Sequence, residues 1–225
     1  MMFRHATAPN NIAGEETRAR LLEAATEVFL ADGFRTARVQ EIARRSGLRL
    51  SAINYHFGSK EGLYLAVLHH HVRLSQQHLP PDLPELSAVP LRTRLEFVIA
   101  DILQLHLGQE PANQVPQLLM REMSNPTPAL EEIIRQFTLP LAGSLQALFG
   151  EILGPAVPQV AVNRSVCSLL GQCAMYAQAR AVVSGVDPAI INDKSLIPNT
   201  TRHISDFTWG GLQAIRQQWE EATKS

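Results

Sequence analysis

Apolar residues recur three and four positions apart along most of this 225-residue chain, the spacing of one face of an α-helix. The first such run extends from Glu15 to about Ala31, with Leu21, Leu22, Ala25, Val28 and Phe29 as its stripe. Glu15 and Glu16 stand in its first turn, where the helix dipole favours negative charge, and Gly33 closes it. Two short segments follow. Val39, Ile42, Ala43 and Ser46 share one face of the first, and Ser46-Gly47-Leu48 makes a turn in which Gly47 can take positive φ without a Cβ clash. In the second, Leu50, Ile53 and Phe57 are spaced as a buried face, while Ser51, Ala52, Asn54, Tyr55 and His56 keep the other side low and polar. Ser59 is placed to cap a helix over about 60–77. The proline-rich stretch LPPDLPELSAVP, residues 79–90, predicts a loop. Helices are expected over 91–108, 115–124 and 127–153, the last capped by Thr127, opened by Pro128 and kinked at Pro140. A helix over 157–184, a loop to 199 and a final helix from Thr200 or Thr201 to about 222 complete the pattern. No segment reads convincingly as a strand, so the expected fold is all-α with about nine helices.

Two short amphipathic helices around a glycine turn form a helix-turn-helix, which lays its second helix in a DNA major groove. The charge distribution agrees. The net charge is only -1, but residues 1–60 carry nine Arg/Lys against six Asp/Glu, and the remainder eleven against fifteen. A basic head on an acidic body suits a head that meets phosphates. Asn54 is the first candidate for reading a base, because one amide can bond N6 and N7 of adenine together. Ser51 beside it can bond a base or a phosphate. Lys60 opens the following helix, whose free N–H groups favour an anion. Arg38 and Arg49 precede the two short helices. A guanidinium cannot accept an N–H bond, so a cap worth about 1 kcal/mol is missing from each unless Thr36 serves the first. In exchange Arg38, Arg45 and Arg49 add charge near the groove.

An ordered series over residues 15–68 resembles the N-terminal domain of TetR-family transcriptional regulators: Thr17-Arg18, Ala24-Ala25, Phe29, Gly33-Phe34, Ile42-Ala43, Ser46-Gly47-Leu48, Ile53 to Phe57, and Ser59-Lys60-Glu61. Further on, Arg121-Glu122-Met123 with Pro126 to Ala129, Gly171-Gln172 with Tyr176, and His203-Ile204 with Phe207 and Gly211-Leu212 resemble the subgroup with a CecR-like C-terminal domain. The resemblance implies that residues 15–60 bind double-stranded operator DNA, after a flexible tail of residues 1–14, and that residues 61–225 dimerise and sense a small-molecule effector. It places Arg18, Arg49, Tyr55, His56 and Lys60 on phosphate or sugar, with Tyr55 partly against the scaffold. Asn54 stands where many relatives carry an aromatic, so the operator is expected to differ. Small residues form a ridge at Ser168, Gly171, Ala174, Ala177 and Ala181, and another at Gly210, Gly211 and Ala214. They allow close helix approach, and the resemblance implies that they pair two copies in a four-helix bundle. Arg121, Gln172, Tyr176 and His203 are polar groups on otherwise apolar helices and could orient an effector. The expected protein is a cytoplasmic, dimeric, ligand-responsive repressor of a palindromic operator. The competing expectation is an effector-independent DNA-binding or protein-interaction module.

Other chemistry is thin. In the run His69-His70-His71, consecutive side chains point about 100° apart and cannot close on one ion. His71 and His78 share a face but span two turns. Neither a metal nor a cofactor is expected. Cys167 and Cys173 would lie ~9 Å apart on a helix, too far for a disulfide, and two buried thiols fit a reducing compartment. No G-x-S-x-G, glycine-rich phosphate loop or H-E-x-x-H occurs, and Glu131-Glu132 falls on a polar face, so no enzymatic activity is expected. No run of about 18 apolar residues predicts a membrane span, and MMFRHATAPNNIAG lacks a signal peptide's apolar core.

Overall fold

The computed structural model describes residues 9–76, 88–108 and 114–223. His78 and most of the expected proline-rich loop lie outside them. Regular structure among the described residues is entirely helical. The order is α1 (Pro9–Thr36), α2 (Val39–Ser46), α3 (Leu50–Phe57), α4 (Lys60–Gln76), α5 (Leu91–Leu107), α6 (Gln114–Ser124) and α7 (Ala129–Ile133). A π-turn (Ile134–Thr138) leads into α8 (Leu139–Leu153), then α9 (Gln159–Gln178), α10 (Arg180–Val186), α11 (Pro188–Asn192) and α12 (Leu196–Ala222).

Several boundaries differ from the sequence pattern, each for a local reason. α1 begins at Pro9 rather than Glu15, so residues 9–14 of the expected tail are helical. Proline suits a first helical turn, and the single Gly14 costs only about 1 kcal/mol. Gly33 interrupts α1 as expected, with φ 74° and ψ 164°. The kink expected at Pro140 appears as the π-turn just before it. Proline removes an N–H and crowds the carbonyl four residues back, and a wider turn relieves both. The expected helix over 157–184 breaks at Ala179, with φ −111° and ψ 33°, a break that no glycine or proline announces. The expected loop to 199 contains α11, capped by Asp187, whose Oδ1 accepts from the Ala189 N–H at 2.9 Å.

By packing, the chain divides into two compact units. The first joins residues 1–73 to residues 117–133; the second joins 74–116 to 134–225. In the first, Leu21, Ala25, Val28 and Phe29 of α1, Ile42 of α2, Ile53 of α3, and Leu63 and Val67 of α4 are fully buried. The Phe29 and Tyr64 rings meet edge to face at 4.7 Å, and Phe34 stacks on Tyr64 at 5.0 Å. The Thr26 hydroxyl donates to Leu22 O at 2.7 Å and so accepts from His71 Nε2 at 2.9 Å, which fixes that tautomer.

The core of the second unit gathers α5, α8, α9 and α12 around Leu95, Ile99, Leu145, Phe149, Leu169 and Leu212. Arg94, only 3% exposed, reaches the Glu151 carboxylate through two bonds of 2.7 and 3.0 Å. That guanidinium holds the Glu151 carboxyl below its ordinary value. Both cysteines lie on α9 and are free, but Cys167 is exposed, against the expectation that both are buried. Burial pushes the Cys173 thiol up to about 12, so it stays a protonated core group.

Candidate functional site

The reading face stands on a rigid turn. Gly47 has φ 67° and ψ 23°, and its N–H closes α2. The Arg20 guanidinium donates to Ser46 O at 2.6 Å and lies 2.9 Å from where a Cβ on residue 47 would stand. Glycine is required there by the left-handed backbone and again by Arg20. Arg38 and Arg49 occupy the N-caps of α2 and α3 in extended conformations and make no side-chain cap bond, as the sequence indicated. Ile53, 1% exposed, anchors α3. Ser59 caps the start of α4 by accepting from the Gly62 N–H at 3.1 Å.

Ser51 and Asn54 are exposed on α3 and, among the described residues, bond no other side chain. Arg49 is exposed beside them. Tyr55 is 85% exposed, not leaning on the scaffold. It lies about 200° round the helix from Ile53 and so points away from the core. Its ring meets His56 edge-on at 5.0 Å, and His56 is half-buried against Phe57. The exposed Arg18 holds its guanidinium over Phe57 at 5.4 Å. Lys60 donates to Arg35 O at 3.2 Å and sits over the Phe34 ring at 4.8 Å, leaving its other ammonium hydrogens outward. Arg45, expected to add charge near the groove, is shared between Glu41 at 2.8 Å and Glu27 at 3.2 Å. Leu50 departs from its expected place: it is 40% exposed rather than part of the buried face. Helical side chains tilt toward the N-terminus, so one on the first residue leans past the helix end with nothing beneath it.

The segment Arg121 to Ala129, singled out in the sequence, is a clasp within the first unit. Arg121 donates to Ala31 O at 2.9 Å, and Arg35 reaches back to Pro126 O at 3.2 Å. Glu122, 2% exposed, accepts from the Tyr64 hydroxyl at 2.7 Å. Its second oxygen accepts from the Thr127 N–H at 2.8 Å and hydroxyl at 2.7 Å. Thr127 in turn accepts from the Ala129 N–H at 3.2 Å, the expected cap. Burial, then Glu122, push the Tyr64 hydroxyl far above its ordinary value, so it remains a donor. Sequence reasoning saw this motif but not that Tyr64 closes on it.

In the second unit, Gln172 and Tyr176 of α9 and His203 of α12 line one pocket of about 260 Å³ with Met175, Val183 and Ile204. Arg121, expected with them, belongs to the first unit and lines a cleft with Gly33 and Arg35. Ala174 and Ala177 are half-buried on α9, and Ala181 is exposed on α10. Gly210, Gly211 and Ala214 are exposed along α12. Around them Val182, Val186, Phe207 and Trp219 stand out from the surface. Among the described residues no group of three His, Cys, Asp or Glu could hold a metal ion, and no helix is long and apolar enough to cross a membrane.

Known proteins share both parts of this arrangement. The family described as "Bacterial regulatory proteins, tetR family" matches residues 21–67. The family described as "HTH-type transcriptional dual regulator CecR, C-terminal domain" matches residues 91–212. The chain is 46% identical over 63 residues to the HTH-type transcriptional activator FasR of Mycolicibacterium smegmatis, covering 28% of this chain and 29% of FasR. It is 29% identical over 152 residues to CecR of Shigella flexneri, covering 64% of this chain and 67% of CecR. In its matches to FasR and to SrpR of Pseudomonas putida the chain spans about a third of each relative's length. A TetR-like regulator from Rhodococcus sp. RHA1 shares the fold with TM-score 0.65 at 16% identity, over 88% of this chain and 96% of that one. The regulator FadR from Bacillus subtilis, solved with stearoyl-CoA, superposes with TM-score 0.63 at 14% identity, over 86% and 98%. With a matched head at 21–67 and a matched body at 91–212, the chain belongs to the TetR family of bacterial transcriptional regulators, in the branch with a CecR-type C-terminal domain.

Proposed function

We propose that the protein is a ligand-responsive repressor that binds a palindromic operator as a homodimer and is released by a small-molecule effector. The observation that carries this reading is the Ser51–Asn54 face of α3, exposed and unbonded above a buried anchor at Ile53. Arg18, Arg49, Tyr55, His56 and the outward hydrogens of Lys60 would hold phosphates, and Asn54 would read adenine. The effector would be mostly apolar, met by the Gln172 amide, the Tyr176 phenol and the His203 imidazole in an otherwise apolar pocket. Release follows if the effector prefers the conformation that binds DNA poorly. Operator must then weaken effector binding by the same factor, typically about 1–3 kcal/mol.

The test uses duplexes selected from a random library by the full-length protein. Asn54→Ala should weaken the selected operator roughly ten- to a hundredfold and relax one base position, with random-sequence affinity unchanged. Unchanged affinity for operator as well would remove Asn54 as the base reader.

A further inference from the structure

We infer that Leu50 reads the 5-methyl group of a thymine beside the adenine that Asn54 bonds. This rests on α3 lying in the major groove, as proposed above. Three observations carry it. Leu50 is 40% exposed on the first residue of α3, so it is not holding the helix to the core; Ile53 does that. Leu50 and Asn54 are one turn apart on the same side of α3, about 6 Å along its axis, comparable with one to two base-pair steps of ~3.4 Å. Their neighbours Ser51 and Arg49 are exposed and polar, so an apolar side chain interrupts a hydrogen-bonding surface.

A leucine has no donor or acceptor for a phosphate or a base edge. Among the four unmodified bases, only thymine displays an apolar group in the major groove, its C5-methyl. An isobutyl side chain packed on that methyl removes apolar surface from water on both partners. Asn54 would therefore fix an A·T pair by hydrogen bonds, and Leu50 would fix the orientation of a neighbouring A·T pair by contact. Replacing that thymine by cytosine would leave the leucine facing an amino group it cannot satisfy.

The decisive probe is deoxyuridine, which keeps every hydrogen-bonding group of thymidine and loses only the methyl. Each thymine of the selected operator is replaced in turn, symmetrically in both half-sites, and titrated with full-length protein. Wild type should lose affinity at one symmetric position, by about fourfold per half-site, the value of one buried methyl. Leu50→Ala, which keeps the helix because the site is exposed and alanine favours helix, should bind the two duplexes equally at that position. It should retain the adenine preference that depends on Asn54. If wild type is indifferent to every replacement, or Leu50→Ala loses as much as wild type, the assignment of Leu50 is overturned while DNA reading by α3 stands. If selection yields no duplex preferred over random sequence, the reading of α3 as a base-contacting helix falls, and this inference with it.

Discussion

Glu41 shows how single residues shape the head. Arg44 bonds both of its oxygens, at 2.8 and 2.7 Å, and Arg45 bonds one at 2.8 Å. These bonds hold its carboxyl near about 2 instead of the ordinary 4.5. A carboxyl depressed in the folded state adds stability above its ordinary value and loses it as pH falls through the folded value. Glu41→Gln should therefore melt slightly below wild type at neutral pH. The gap should close between pH 4.5 and about 2 and shrink in high salt, because the group lies at the surface. Thermal melts across that range check it, and a gap constant down to pH 2 would mean that these pairs do not act in solution. Much of the residue scale was legible in the sequence. Gly47 was readable because only one residue type tolerates its backbone, and Ile53 because its spacing has a buried partner face. Leu50 and Tyr55 were misplaced for opposite reasons. The apolar spacing ignores that a first helical residue has nothing under it, and a likeness to relatives overruled a wheel that put Tyr55 outside.

At the scale of elements, caps and proline positions were well marked. Ser59 and Thr127 do what their positions implied, whereas the break at Ala179 has no local signature and follows from tertiary packing. The clasp between α4 and the α6–α7 turn was hidden for a similar reason, since hydrogen bonding between distant side chains leaves no periodicity. Its energetics are testable. Tyr64→Phe removes one donor from a carboxylate 2% exposed and should cost about 1–3 kcal/mol in urea unfolding. Glu122→Ala leaves the Tyr64 hydroxyl and both Thr127 donors unmet and should cost more than Tyr64→Phe. Equal midpoints for wild type and Tyr64→Phe would show that the bond contributes nothing.

For the whole molecule, the α12 surface separates packing inside one chain from packing between two. A Cβ built on Gly210 or Gly211 meets nothing within 4 Å, so a large side chain there cannot clash with its own subunit. Gly211→Trp should fold normally, since tryptophan is the better helix former, yet give monomers by light scattering and lose operator affinity if this face pairs two copies. A dimer that survives the change would place the interface elsewhere. The all-α class was plain from spacing alone, but the division into units was not, because a helix pattern does not say which distant helix completes a core. That division also sets a timetable for manufacture. Tyr64 closes on Glu122, 58 residues downstream, and the unit that carries the helix-turn-helix ends only at Ile133. A nascent chain emerging N-terminus first exposes α1 to α4 while the residues that finish their unit are still being translated. Completion of the head thus reports that more than half of the 225 residues have been made, and a chain cut short before residue 133 presents a reading helix on an unfinished support.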